Sequence, residues 1–133
     1  MNTKDKGMLV EAIFQVEAMK QGWIVSQPFG DNAPYDFIVD TGDRLLKVQC
    51  KHLAHARGSK DAYSFNTHKK TGHRRNTRSS YVGLVDYFFA YSLEDDVHIW
   101  MPIGVCNTSE QSVRKEPTPT SPKAKLIKDY LIC

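Results

Sequence analysis

The chain has 133 residues, of which 41% are hydrophobic and 25% are charged. This length and composition predict one compact domain over residues 1–133, and they exclude wholesale disorder and a coiled coil. No run approaches the roughly 20 consecutive apolar residues that span a bilayer. The three cysteines have no CxxC spacing, which favours reduced thiols. We therefore expect a cytoplasmic protein without a membrane segment.

Positive charge is concentrated in one part of the chain. Between Lys51 and Ser80, eight Lys or Arg face a single acidic residue, so this segment has a net charge of +7. Because the whole chain has a net charge of +3, the remaining residues together carry −4. Such polarity predicts a basic surface for a polyanion, of which nucleic acid is the obvious example.

The first predicted element is a helix from Lys4 to Gln21. Gly22 follows it at the position of a left-handed C-cap, and apolar residues recur inside it at helical spacing, at Leu9, Ala12, Ile13, Val16 and Met19. A short strand is expected from Trp23 to Gln27. The prolines and glycine of residues 28–34 then predict an irregular loop.

Two hairpins are predicted next. The first joins Tyr35–Asp40 to Arg44–Lys51 around residues 41–43, and the second joins Tyr87–Ser92 to Val97–Ile103 around an acidic turn at residues 94–96. Residues 52–80 are predicted as a long basic loop excursion with a short strand near residues 63–66. A terminal helix is expected from Pro122 to Leu131. This order predicts an α/β or α+β sandwich with a mixed sheet.

The first hairpin collects polar side chains on one face. With a two-residue loop, Asp36 opposes Lys47, and because side chains alternate along a strand, one face presents Asp36, Ile38, Leu45, Lys47, Gln49 and Lys51. A four-residue loop gives the same faces. A three-residue loop or a bulge would instead separate Asp36 from Gln49 and Lys51.

The polar groups on this face suit a hard cation. Mg²⁺ seeks oxygen ligands, and the Asp36 carboxylate, the Gln49 side-chain oxygen and the Cys50 backbone carbonyl can supply them. Lys51 lies two residues after Gln49 on the same face. Its amine can orient or help deprotonate an attacking water, and it can offset negative charge that develops on a phosphate.

Several segments resemble the PD-(D/E)XK nucleases, in particular their small members related to archaeal Holliday-junction resolvases and intron-encoded homing endonucleases. The similar segments are Lys6-Gly7 followed by Glu11, Pro34-Tyr35-Asp36, Leu46 to Lys51, and the later hairpin from Val85 to Pro102. The resemblance covers most of the chain. It implies a restriction-endonuclease-like α/β fold, in which helices flank a mixed β-sheet core.

The resemblance also implies roles for single residues. Glu11 would be a metal ligand or a water-positioning residue, Asp36 the central metal ligand and Lys51 the catalytic lysine. Gln49 takes the second ligand position, where the family pattern asks for Asp or Glu. A neutral amide adds no charge, so we expect weaker metal affinity unless Glu11 compensates. The implied cofactor is Mg²⁺, with Mn²⁺ as a substitute.

The sequence thus predicts a Mg²⁺-dependent endonuclease that hydrolyses phosphodiester bonds of double-stranded DNA, with site-specific double-strand cleavage as in homing endonucleases. The alternatives are a Holliday-junction resolvase and a DNA-binding module that has lost cleavage. Cutting both strands needs paired sites, which predicts a homodimer or homotetramer. The predicted DNA contacts, for which a merely solvated insertion is the alternative, are Lys69, Lys70, Arg74, Arg75, Arg78, Arg57 and Lys60.

Four histidines of the basic segment, with Cys50, suggest zinc at first sight. They are His52, His55, His68 and His73. Their spacing matches no specific zinc template, so we favour histidines placed near DNA phosphates over a structural zinc site.

Overall fold

The computed structural model describes residues 1–71 and 77–132, and within residues 70–79 it describes only the backbone of two strands. In these ranges the chain has one α-helix, α1 (Thr3–Lys20). The strands of the same ranges are β1 (Ile24–Ser26), β2 (Phe37–Asp40), β3 (Leu45–His52), β4 (Ala54–His55), β5 (Ala62–Asn66), β6 (His68–Thr71), β7 (Thr77–Ser80), β8 (Tyr87–Ser92), β9 (Val97–Pro102) and β10 (Glu110–Arg114).

Five strands form a central mixed sheet in the order β1-β2-β3-β8-β9. Only β3 and β8 pair in parallel, and the other neighbours are antiparallel. Both predicted hairpins are confirmed, as β2–β3 and β8–β9. In the first hairpin Asp40 pairs with Leu45, so the turn has four residues and the predicted division of its faces is retained.

Helix α1 is confirmed within one residue at each end. The Asn2 side chain accepts a hydrogen bond from the Asp5 amide at 2.8 Å and thereby caps the first turn. Gly22 adopts a φ of 76°, which a β-carbon would disfavour, and the chain turns there toward β1. The predicted C-cap is therefore correct.

The core face of α1 differs from the predicted apolar stripe. Val10, Phe14 and Ala18 are buried, whereas Val16 and Met19 are 53% and 70% exposed. The prediction was wrong here because α1 has apolar residues on two faces, so their spacing alone does not select the buried one. Phe14 decides the packing, since its ring contacts the rings of Phe37, Phe89 and Trp100.

The predicted basic loop excursion is mostly sheet in its described part. β4 and β5 join β10 in a second sheet of order β10-β5-β4, and β6 pairs with β7 in a two-stranded ribbon. Of these strands, only β5 was predicted from the sequence, near residues 63–66. β4 has only two residues, polar residues predominate in β6, β7 and β10, and the partner of β10 lies far along the chain, so these four strands were not predicted.

The predicted terminal helix is absent from the described residues. The segment instead has a short 3-10 turn, Ile127–Asp129, and an isolated bridge between Arg114 and Leu126. The Arg114 amide donates to the Lys125 carbonyl at 2.9 Å. Pairing with the end of β10 therefore holds this part of the chain extended, and an extended backbone cannot form helical hydrogen bonds.

The central sheet separates two cores. On one side, α1 packs against Phe37, Val39, Val48 and Phe89. On the other side, the second sheet contributes Tyr63, Phe65 and Val113 to a core with Phe88, Ala90, Ile99 and Met101. No helix in residues 1–71 and 77–132 is both long and apolar enough to cross a membrane. The open end of the β2–β3 hairpin lies where the first core ends.

We expect Phe14→Ala to lower the free energy of unfolding by about 3–5 kcal/mol, because it removes a fully buried ring from an aromatic cluster. Urea denaturation measures this loss. Val16→Ala, on the exposed side of the same helix, is the matched control and should change stability by no more than about 0.5 kcal/mol. Equal losses in the two variants would contradict the described orientation of α1.

Candidate active site

Asp36 lies at the open end of the first hairpin, one residue before β2. Its amide donates to the Val48 carbonyl at 2.9 Å, and its Oδ2 accepts a hydrogen bond from the Cys50 amide at 2.8 Å. These two bonds attach Asp36 to β3 on either side of Gln49. The carboxylate is therefore fixed beside the strand that supplies the other predicted site residues.

β3 presents alternate residues to opposite sides of the sheet. Leu46 and Val48 are buried in the core under α1, so Gln49 and Lys51 belong to the other face by strand alternation. The Lys51 side chain points to this other face, because its Nζ lies 3.2 Å from the hydroxyl of Tyr81, which belongs to the second core.

Glu11 approaches Asp36 from α1. It follows the buried Val10 and is itself part-exposed at the edge of the helix. Glu11 and Asp36 line one cleft of about 340 Å³, which also includes Gln27 and Asp31. The loop at residues 28–34, predicted to be irregular, forms much of its wall.

Lys51 lines a second cleft, of about 320 Å³, together with His52, Ser64 and Asn66. Gln49 lines neither of these two clefts. Asp36 therefore interacts electrostatically with Glu11 and with Lys51. Gln49 lies beside Asp36, because it is on β3 between Val48 and Cys50, to which Asp36 is hydrogen-bonded.

Burial and mutual repulsion disfavour charge on both carboxylates. Burial, and then the nearby Asp36, raise the pKa of Glu11. Burial also raises the pKa of Asp36, although the Cys50 amide and Lys51 act in the opposite direction. Two acids that repel each other in a cleft are stabilised as anions by an added cation.

The donor groups at this place fit a divalent cation. Glu11 and Asp36 would hold it with carboxylate oxygens, and the Gln49 amide oxygen and Cys50 carbonyl are the further oxygen donors that the sequence predicts here. In the described part of the chain, no three His, Cys, Asp or Glu side chains cluster as a metal site. At Asp36 the reason is that Gln49, which lies between the two β3 residues that bond to Asp36, carries an amide instead of a carboxylate.

Burial lowers the pKa of the Lys51 ammonium, and the charge of Asp36 opposes that shift. The Tyr81 hydroxyl accepts its hydrogen bond, and the Tyr81 ring centroid lies 4.9 Å from Lys51 Nζ. Burial also raises the pKa of Tyr81. The phenol therefore stays neutral next to the ammonium at physiological pH.

The predicted DNA-binding residues fall into two described places. Arg57 and Lys60 are exposed in the turn between β4 and β5. Lys69 and Lys70 belong to β6, and Arg78 belongs to β7, where it pairs with Lys70. Arg74, Arg75 and His73 lie outside the described residues.

The base of the β6–β7 ribbon is anchored on both sides. The His68 ring lies 2.8 Å from the Ser109 carbonyl, and the Thr67 amide donates to the same carbonyl at 3.0 Å. On the other side, Tyr81 directly follows β7. The basic ribbon therefore begins and ends next to the residues that surround Lys51.

Three residues near the site have contacts that the sequence did not predict. Nothing in the spacing of Tyr81 to Lys51 marks their contact. Gln27 ends the predicted strand Trp23–Gln27, and it lines the cleft of Glu11. Asp86 Oδ2 accepts a hydrogen bond from the Lys47 amide at 2.8 Å.

His55 has a structural environment of its own. Its Nε2 lies 2.9 Å from the Asp95 carboxylate, and its ring packs 4.6 Å from the Tyr63 ring centroid. The contacts of His55 connect β4 to the turn of the second hairpin, away from the Asp36 carboxylate. Cys50 and Cys106 are free thiols.

Two acids and a lysine lie near the open end of one hairpin of a mixed sheet, an arrangement that agrees with the nuclease class predicted from the motifs. The PD-(D/E)XK endonuclease family model matches residues 1–132. The chain belongs to this family, as the resemblance of its motifs predicted.

A solved structure agrees with the family assignment. The bacterial homing endonuclease I-Ssp6803I superposes with a TM-score of 0.78 at 28% sequence identity, over 98% of this chain and 88% of that chain. A search of curated proteins gave no significant match. The predicted restriction-endonuclease-like fold is therefore confirmed.

The raised pKa of Glu11 predicts that this residue opposes folding at neutral pH. A carboxyl whose pKa lies above its ordinary value near 4.5 binds its proton more tightly in the folded chain, so its contribution to stability falls as pH rises through that range. Without divalent cations, Glu11→Gln should therefore raise the melting temperature at pH 7, and the gain should shrink toward pH 4.

Thermal melting between pH 4 and pH 8 measures this effect. Glu116→Gln changes an exposed glutamate in the segment after β10, and it serves as the control. A wild-type protein more stable than Glu11→Gln throughout this range would contradict the described proximity of Glu11 to Asp36.

Proposed function

We propose that this nuclease is a Mg²⁺-dependent DNA endonuclease that makes site-specific double-strand cuts. The observation that supports it best is the convergence of Glu11, Asp36 and Lys51 at the open end of the β2–β3 hairpin. The likeness to a bacterial homing endonuclease favours site-specific cutting over other modes.

In this proposal Glu11, Asp36 and Gln49 hold the cation, which supplies Lewis acidity to a phosphate oxygen and to water. Asp36 is the best fixed of the three, because the Cys50 amide holds one of its oxygens. Lys51 contributes positive charge on the opposite side of Asp36. Its ammonium orients the attacking water and offsets negative charge on the phosphate as the P–O bond breaks.

DNA is bound by the basic segment between Lys51 and Ser80. Lysines and arginines in the β6–β7 ribbon and in the β4–β5 turn neutralise phosphates, which gives affinity without sequence selection. A two-stranded ribbon also has the dimensions to enter a major groove. The ribbon is thus the element that we propose for site recognition, since it is rich in lysine and arginine and is followed directly by Tyr81, which contacts Lys51.

Each chain provides one cleavage site, and one site cuts one strand. Double-strand cleavage is therefore proposed to require at least two copies related by a twofold axis, as a homodimer or homotetramer. Sedimentation with and without duplex DNA measures the assembly.

The alternative of another class is a DNA-binding module that no longer cleaves. It is favoured by Gln49, which leaves the site with two carboxylates. Incubation with random-sequence DNA, with plasmids that carry long candidate sites and with cruciforms, in Mg²⁺ or EDTA, separates the possibilities. Rare cuts in duplex support the proposal, cuts in cruciforms alone support a junction resolvase, and retention without cutting supports the binding module.

Lys51→Ala should reduce cleavage by at least about a hundredfold, the usual effect of removing one preorganised group that stabilises transition-state charge. DNA binding in Ca²⁺ should stay within about twofold, because many other basic residues supply phosphate contacts. The control is Lys47→Ala, four residues earlier on the same strand. Normal cutting by Lys51→Ala would refute the proposed role of this lysine.

Gln49→Glu should strengthen cation binding, because it gives the site a third carboxylate. We expect the Mg²⁺ concentration for half-maximal thermal stabilisation to fall on the order of tenfold, as ligand charge tunes affinity at oxygen sites. Asp36→Asn should remove most of this stabilisation, whereas Asp43→Asn in the exposed turn should not. An unchanged Mg²⁺ response in Gln49→Glu would exclude residue 49 from the cation site.

A further inference from the structure

Tyr81 is held firmly by contacts that do not involve Lys51. The residue is 6% exposed, and its ring packs edge-to-face against Phe88 with centroids 5.4 Å apart. Its carbonyl accepts hydrogen bonds from the amides of Leu84 at 2.8 Å and Val85 at 3.2 Å. The Tyr81 ring and hydroxyl are therefore fixed by the second core and by the turn before β8.

Lys51, in contrast, has a long side chain that loses rotamer freedom only where something holds its end. The Tyr81 hydroxyl is the hydrogen-bond acceptor that the described residues place at its Nζ, at 3.2 Å. Because an ammonium can only donate, the phenol must accept this bond. The ring adds a second attraction, since Nζ lies 4.9 Å from its centroid.

We propose that Tyr81 is the positioning residue of Lys51, holding its ammonium near Asp36 in the geometry that phosphodiester cleavage needs. This inference rests on the proposed nuclease function for its effect on catalysis, although the effect on the ammonium itself is independent of that function. Tyr81 acts through Lys51 and makes no bond to the scissile phosphate.

The test uses Tyr81→Phe in the full chain, with Tyr91→Phe as the matched control. Tyr91 is also a buried phenol, but its hydroxyl bonds to Asp96 in the second hairpin. NMR relaxation of labelled lysine side chains at one fixed pH, with Lys51 assigned by Lys51→Arg, measures how rigidly the end of the Lys51 side chain is held. We expect its order parameter to fall by roughly a third in Tyr81→Phe alone, because the ammonium loses the acceptor that lies 3.2 Å away.

Single-turnover cleavage gives the second measurement. Tyr81→Phe should cut about tenfold more slowly, with DNA affinity within about twofold, because the hydroxyl holds the ammonium and makes no bond to phosphate. A purely structural tyrosine would lower stability and leave the order parameter of Lys51 and the cleavage rate of the folded protein unchanged.

The outcomes separate the two proposals. If the wild-type chain cuts no DNA, the proposed function fails, and the order parameter of Lys51 still decides the role of Tyr81. If that order parameter is unchanged in Tyr81→Phe, or falls equally in Tyr91→Phe, the positioning role is refuted even in an active nuclease.

Discussion

The candidate site depends on one hydrogen bond, from the Cys50 amide to Asp36 Oδ2. Asp36 lies just before β2, at the open end of a hairpin, and its amide bonds to the Val48 carbonyl there. The bond from Cys50 ties the carboxylate itself to β3 and compensates part of the cost of burying it. Without this bond, the Asp36 side chain could rotate away from Lys51 and Glu11, and the acids and the amine would not form one site.

Local patterns predicted most of the elements around the site. The alternation of apolar residues in β2 and β3, with a short polar turn between them, is enough to assign the faces of the hairpin. An even number of turn residues keeps Asp36 on the same face of the hairpin as Gln49 and Lys51, and the observed four-residue turn has this parity. The helix boundaries followed from Gly22 and from a polar start, which are equally local.

Contacts between distant parts of the chain were not predictable in this way. β10 pairs with β5, about 45 positions earlier, and its alternate buried residues, Gln111 and Val113, include only one apolar side chain. The end of β10 also holds residues 125–126 extended, which overrides the helical preference of that segment. Tyr81 is 30 positions from Lys51, and their contact exists only because β8 pairs in parallel with β3.

The charge distribution of the chain matches the opposing demands of such a site. Two carboxylates next to a DNA backbone repel its phosphates, and burial makes them hard to ionise. In the proposed function, a cation between acid and phosphate would remove both problems, and Lys51 with the basic ribbon would supply the remaining positive charge. Lys51 belongs both to the +7 segment and to the site, where its charge lowers the pKa of Asp36. The positive charge that would attract DNA therefore adjoins the acids that would repel it.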